Sequence, residues 1–129
     1  MIICDSNIFI EVFRKNFTIR AELETIGNDN IILSDVVKAE IFFGAKNKQE
    51  LQIIRNYLNN YSSLTILPEI SKMAVDLVEN YCLSHKLNFP DALIASTAIY
   101  YDIELFTLNT KDFTFIPNLK LYKIQHNFS

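Results

Sequence analysis

The strongest constraint on the fold is an alternation. Short apolar runs at 2–4, 30–33, 64–67, 104–107 and 119–123 recur between longer stretches of helical pattern at 7–14, 18–26, 35–45, 48–61, 69–86 and 91–101. Each run alone is too short to separate a buried strand from a turn of buried helix. Their spacing decides it. Strand, helix and strand in turn imply right-handed crossovers and a parallel sheet with helices on its faces. The expectation is therefore an α/β domain with about five short strands, and 129 residues suit one domain over 1–129. Ser34 reads as an N-cap, and Pro90 suits a first helical turn, where its missing N–H costs nothing.

Composition removes several kinds of site. There are two glycines, Gly27 and Gly44, so neither a P-loop nor a GxGxxG turn can be built. The two cysteines, Cys4 and Cys82, form no CxxC and suggest no disulfide framework. Asp5 cuts off the apolar opening, no basic segment precedes it, and no apolar run approaches the ~20 residues that span a bilayer. These features read as a cytoplasmic protein without a membrane segment. The net charge of −3 gives no bulk sign of a nucleic-acid partner.

Ligands of open α/β sheets bind beyond the carboxyl ends of the strands, so polar residues there carry the functional question. Asp5 directly follows the first strand, although a helix N-cap at Asp5, Ser6 or Asn7 would explain it equally well. Glu40 lies in a helical stretch where, at about 100° per residue, positions 36, 37, 40, 43 and 44 share a face. The other four are Val, Val, Phe and Gly, so Glu40 is expected in an apolar stripe, either paired with a cation or present for chemistry. Asp91 opens a helix whose positions 94, 95, 98 and 99 are apolar; a dipole-favoured first-turn acid is the plainer reading. Asn109 and Asp112 follow the fourth strand, in a stretch that ordinary loop chemistry also explains. Several oxygen donors in apolar settings share one explanation. A hard divalent cation such as Mg²⁺ or Mn²⁺ takes carboxylates directly and offsets their repulsion.

Four stretches carry a family resemblance. They are Ile3-Cys4-Asp5-Ser6-Asn7-Ile8-Phe9-Ile10, the segment from Ser34 to Ala45, the segment from Phe89 to Ala98, and Phe106-Thr107-Leu108-Asn109-Thr110-Lys111-Asp112-Phe113. In that order the chain resembles PIN-domain proteins, specifically the VapC-type ribonuclease toxins of toxin–antitoxin pairs. The resemblance implies a Rossmann-like three-layer α/β/α domain and cleavage of RNA with Mg²⁺ or Mn²⁺. It maps three family acids onto Asp5, Glu40 and Asp91, with Ser6 and Asn7 as supporting polar groups. Asn109 stands where the family often has its fourth acid, and Asp112 three residues on is the other candidate. A small antitoxin partner and a homodimer are also implied.

RNA approaching an acidic site needs cations around it. Arg14, Lys15, Lys38, Lys46 and Lys111 are the candidate contacts, each also readable as ordinary surface charge. Phe9, Phe13 and Phe17 read as core or partner-facing rather than as base-stacking positions. Setting Asp5, Glu40, Asp91 and Asp112 aside from the 15 acids leaves 11 against 12 bases, so the acidity is concentrated in the expected site. The alternative reading is a catalytically weakened module of the same fold that binds RNA or a protein without cutting. A receiver-like phosphoacceptor domain fits poorly, because Pro68 and Glu69 follow the third strand where its Asp should be.

Overall fold

The computed structural model describes residues 1–125. Four strands, β1 (Ile2–Cys4), β2 (Ile31–Ser34), β3 (Ser62–Leu64) and β4 (Glu104–Phe106), form a parallel sheet in the order β3-β2-β1-β4. Between them run α1 (Ser6–Phe13), α2 (Phe17–Ile26), α3 (Asp35–Phe43), α4 (Lys48–Leu58), α5 (Pro68–His85) and α6 (Phe89–Tyr101). The chain steps from β1 to β2 to β3 in one direction, then crosses back past β1 to β4. Right-handed crossovers thus carry α1–α4 on one face and α5–α6 on the other. The crevice where strand order reverses lies at the carboxyl end of β1.

The two inner strands are apolar except for Ser34 at the end of β2, because both their faces are covered. Ile2, Ile3 and Cys4 of β1 and Ile31 and Leu33 of β2 are all buried. α6 is buried almost all round, from Ala92 to Ala98. On the α1 side, Phe9 meets Tyr57 and Tyr61 edge-on at 6.2 and 5.4 Å, and Phe13 meets Tyr57 at 5.2 Å. Among the described residues, no helix is long and apolar enough to cross a membrane.

Two strand expectations are corrected. The third strand is Ser62–Leu64 rather than 64–67. It is the sheet edge, with Ser62 and Ser63 exposed, and an edge strand need not be apolar, so the apolar run pointed a few residues too late. The expected fifth strand at 119–123 is a single parallel bridge, Leu105 to Leu121. Leu105 N donates to Lys120 O and Tyr122 N to Leu105 O, both at 2.8 Å. Asn118, at φ 68°, turns the chain in just before the bridge, and it then leaves toward α2. There the Tyr122 hydroxyl donates to Glu22 Oε1 at 2.5 Å, and Gln125 N to the same oxygen at 2.7 Å.

The caps follow the sequence. Ser34 Oγ accepts from Val37 N at 3.2 Å, Asn88 Oδ1 accepts from Asp91 N at 2.9 Å, and Pro90 sits in the first turn of α6.

Candidate active site

Strand register builds the centre of the site. Cys4 pairs with Phe106, so the next residues on the two strands, Asp5 and Thr107, emerge side by side. Asp5 N extends the ladder by donating to Phe106 O at 2.9 Å. The Asp5 side chain is buried and held from both sides. Oδ1 accepts from Ser6 N at 2.7 Å, which caps α1, and Oδ2 accepts from Thr107 Oγ1 at 2.8 Å. The cap reading of Asp5 is therefore observed, and the same carboxylate also stands at the strand-end crevice.

Asn7 ties the two strand ends together. Its Nδ2 lies 3.4 Å from Asp5 Oδ2 and 3.3 Å from Thr107 Oγ1, and its Oδ1 accepts from Leu108 N at 3.2 Å. Thr107 Oγ1 in turn accepts from Asn109 N at 3.1 Å. Thr107 is the residue that sequence reasoning passed over. It stood inside a quoted motif, and only the β1–β4 register shows that its hydroxyl orients the first acid.

α3 and α6 bring the other acids. Glu40 does not lie on a core stripe as expected. α3 buries Val37 and Ile41, one turn apart, while Phe43 is 93% exposed and Glu40 is exposed too. The face that carries Glu40 packs on the core at Val36 and Val37 and is open along its outer part, at Glu40, Phe43 and Gly44. Asp91 is half-buried in the first turn of α6. Because that helix is buried on nearly every side, its periodicity could not single out a face.

The acids act on one another. Burial raises the Asp5 carboxyl; hydrogen bonds from Thr107 and Ser6 oppose this, and the Asp112 charge adds to it. Burial raises Glu40, with further pushes from Asp5 and Asp91. Asp91 is raised to about 6 by burial and by the charges of Asp5 and Asp112. The Asp112 charge thus acts on two of these acids, whereas Asn109 engages its neighbours through its backbone.

Among the described residues the ion pairs are Arg14–Glu11, Arg20–Glu24 and Lys120–Asp102. None involves the four acids, so the cation partner weighed for Glu40 is not supplied from within the described chain. The same residues contain no group of three His, Cys, Asp or Glu side chains arranged to hold a metal ion. A set of repelling carboxylates without a protein cation suits a hard divalent ion that keeps several of its own waters. It does not suit a dehydrated, fully protein-ligated one.

The expected cations separate into two sets. Arg14 at the end of α1 and Lys46 after α3 line a groove of about 320 Å³ together with Ile10, Phe13, Glu40 and Ile41. Lys15, at φ 64°, follows α1 outside that lining, and Lys38 is on another face of α3 from Glu40. Lys111 is exposed in a short 3-10 turn beside Asp112.

The comparisons with known proteins agree with this architecture. The sequence pattern of the PIN domain matches residues 2–116. The chain is 28% identical over 121 residues to Ribonuclease VapC10 of Mycobacterium tuberculosis, covering 93% of this chain and 91% of that protein. A toxin–antitoxin complex from Klebsiella pneumoniae contains a chain 31% identical, with TM-score 0.79 over 96% of this chain and 100% of that one. In VapBC2 from Rickettsia felis, bound to a DNA fragment from its promoter, a chain matches at 26% identity and TM-score 0.80, over 95% of this chain and 98% of that one.

Proposed function

The chain belongs to the PIN domain family, and on that premise we propose that it is a divalent-metal-dependent endoribonuclease, the toxin of a VapBC-like toxin–antitoxin pair. The observation that carries the proposal is the set of acids at the carboxyl ends of β1 and β4. Asp5, Glu40 and Asp91 come from three separate elements; the Asp5 charge raises Glu40 and Asp91, Asp91 adds to Glu40, Asp112 raises Asp5 and Asp91, and none of them has an ion-pair partner among the described residues.

Asp5 and Asp91 would hold Mg²⁺ or Mn²⁺, and a bound ion of this kind supplies Lewis-acid polarisation of a phosphoryl oxygen and neutralises charge. Thr107, Ser6 and Asn7 fix the Asp5 carboxylate in one orientation, so no reorientation is needed when substrate arrives. Of the three acids Glu40 is the exposed one, and burial with the charges of Asp5 and Asp91 raises its pKa, the direction a general base requires. It takes a proton from the attacking water on a carboxylate oxygen. The water oxygen bonds to phosphorus in line as the P–O bond to the leaving ribose breaks. Asp112 contributes negative charge at the rim, and Asn109 a polar contact to substrate or ordered water. A small antitoxin would bind and silence the site, and the toxin would assemble as a homodimer.

The test is cleavage of a mixed RNA pool by purified chain with Mn²⁺. Cleavage is expected, and it should vanish with EDTA or with Asp5→Ala. Intact RNA with folded, antitoxin-free protein sinks the proposal. Asn109, in place of an acid, favours the second reading of a module that binds without cutting. Calorimetric titration with Mn²⁺ separates the two, since absence of metal binding supports the non-cutting module.

A further inference from the structure

We propose that the groove between α1, α3 and α4 is the pocket for one unpaired nucleotide of the RNA beside the scissile phosphate, its base seated against Phe13 between Arg14 and Lys46. This rests on the ribonuclease reading and names how that site would select its substrate.

Position is the first argument. Glu40 lines the groove, so whatever fills it lies against the reacting centre. The lining is the second. Ile10, Phe13, Ile41 and Ile54 supply apolar walls, and Phe13 is held by its edge-on contact with Tyr57 at 5.2 Å. Phe13 is half-buried at this groove and not sealed in the core. Arg14 and Lys46 donate at the rim, while Glu50 accepts. A track for phosphates alone would want cations only. A base presents apolar faces and an edge of mixed donors and acceptors, which matches this mixture.

Size and charge narrow the occupant. About 320 Å³ is near the lower bound of small-molecule pockets, room on the scale of a nucleotide and not of a duplex. Sequence-specific RNA recognition generally uses such splayed-out bases, because a duplex hides its edges. Arg14 shares its charge with Glu11 at 3.4 Å, which leaves Lys46 as the groove cation outside the ion pairs of the described residues and the one placed to meet a phosphodiester.

The probe is a single-stranded dodecamer RNA carrying 4-thiouridine, irradiated with the Asp5→Asn chain and Mg²⁺. Crosslinks are expected on the peptide containing Phe13 or the one containing Lys46. The same sequence annealed as a duplex should compete at least about tenfold more weakly. Phe13→Leu, which keeps an apolar side chain against Tyr57, should weaken binding about tenfold, the loss of one stacked base. The exposed Lys46→Gln should weaken it about threefold. With Asp5 intact, both variants should flatten the base preference next to the cut and raise KM while leaving kcat unchanged. Crosslinks elsewhere, or variants with unaltered binding and base preference, would overturn the pocket and give the groove to a protein ligand. Crosslinking through the groove without any cleavage by the parent chain in Mn²⁺ supports the pocket and rejects the nuclease.

Discussion

Two buried acids, Asp5 and Glu22, both accept hydrogen bonds from distant parts of the chain but stand in different regions of the molecule. Glu22 sits on α2 fully buried, and one of its oxygens accepts both the Tyr122 hydroxyl and the Gln125 amide. Asp5 is also buried and also accepts hydrogen bonds, but the Asp112 charge raises its pKa and it raises those of Glu40 and Asp91 in turn. Both acids interrupt apolar patterns in the sequence: Ile19, Glu22, Leu23 and Ile26 are spaced as one helical stripe. An acid in an apolar stripe is therefore no signature of chemistry. What marks Asp5 is that carboxylates join its donors: Asp112 acts on it, and it acts on Glu40 and Asp91.

The largest test exchanges the fates of these two residues. Asp5→Asn should cut the cleavage rate at least about a hundredfold with little loss of stability. Glu22→Ala should leave cleavage intact below its melting temperature but cost about 1–3 kcal/mol in urea unfolding, since it removes the buried acceptor that ties Tyr122 and Gln125 to α2. If Glu22→Ala abolishes cleavage in a chain still folded, the contrast is broken.

Thr107→Val sharpens the Asp5 side of the comparison. It keeps the shape but removes the hydrogen bond to Oδ2. The apparent Mn²⁺ affinity should fall about tenfold, as for other groups that orient a metal ligand. An unchanged metal titration would make Thr107 a strand-end filler only.

Asp91 predicts a pH dependence. Its pKa rises from 3.8 unfolded to about 6 folded, so over this range the metal-free native state binds more protons than the unfolded one. Stability from this group is present below 3.8 and is lost as pH rises toward about 6. Asp91→Asn should thus stabilise the metal-free chain at pH 7 by about 1 kcal/mol, allowing for screening of a half-exposed group. Thermal melts across pH 4–8 check this. The smallest effect falls at the rim, where Asp112→Asn should lower cleavage a few-fold and Asn109→Ala less. The reverse order would make Asn109 the fourth site residue.

Most of the fold was legible because the inner strands of a parallel sheet are apolar on both faces and the helices between them are long. β3 was misplaced because an edge strand carries no such signal, and 119–123 was overread because a single bridge needs only two residues in place. For the site, Asp5 and Asp91 were legible from position, one after a strand and one after Pro90. Glu40 was picked for an apolar face that turned out to be open along its outer part. Thr107 and Glu22 were not legible, since each gains its role from a partner about a hundred residues away, set by register and by the returning chain.

That separation has a consequence for synthesis. The central strand is made first, yet Asp5 acquires its Thr107 neighbour only after 102 more residues. The candidate site therefore stays incomplete while the residues between β1 and β4 are being made. On the proposed ribonuclease reading, the Asp5 carboxylate reaches its final setting only when β4 has left the ribosome and slid in beside β1.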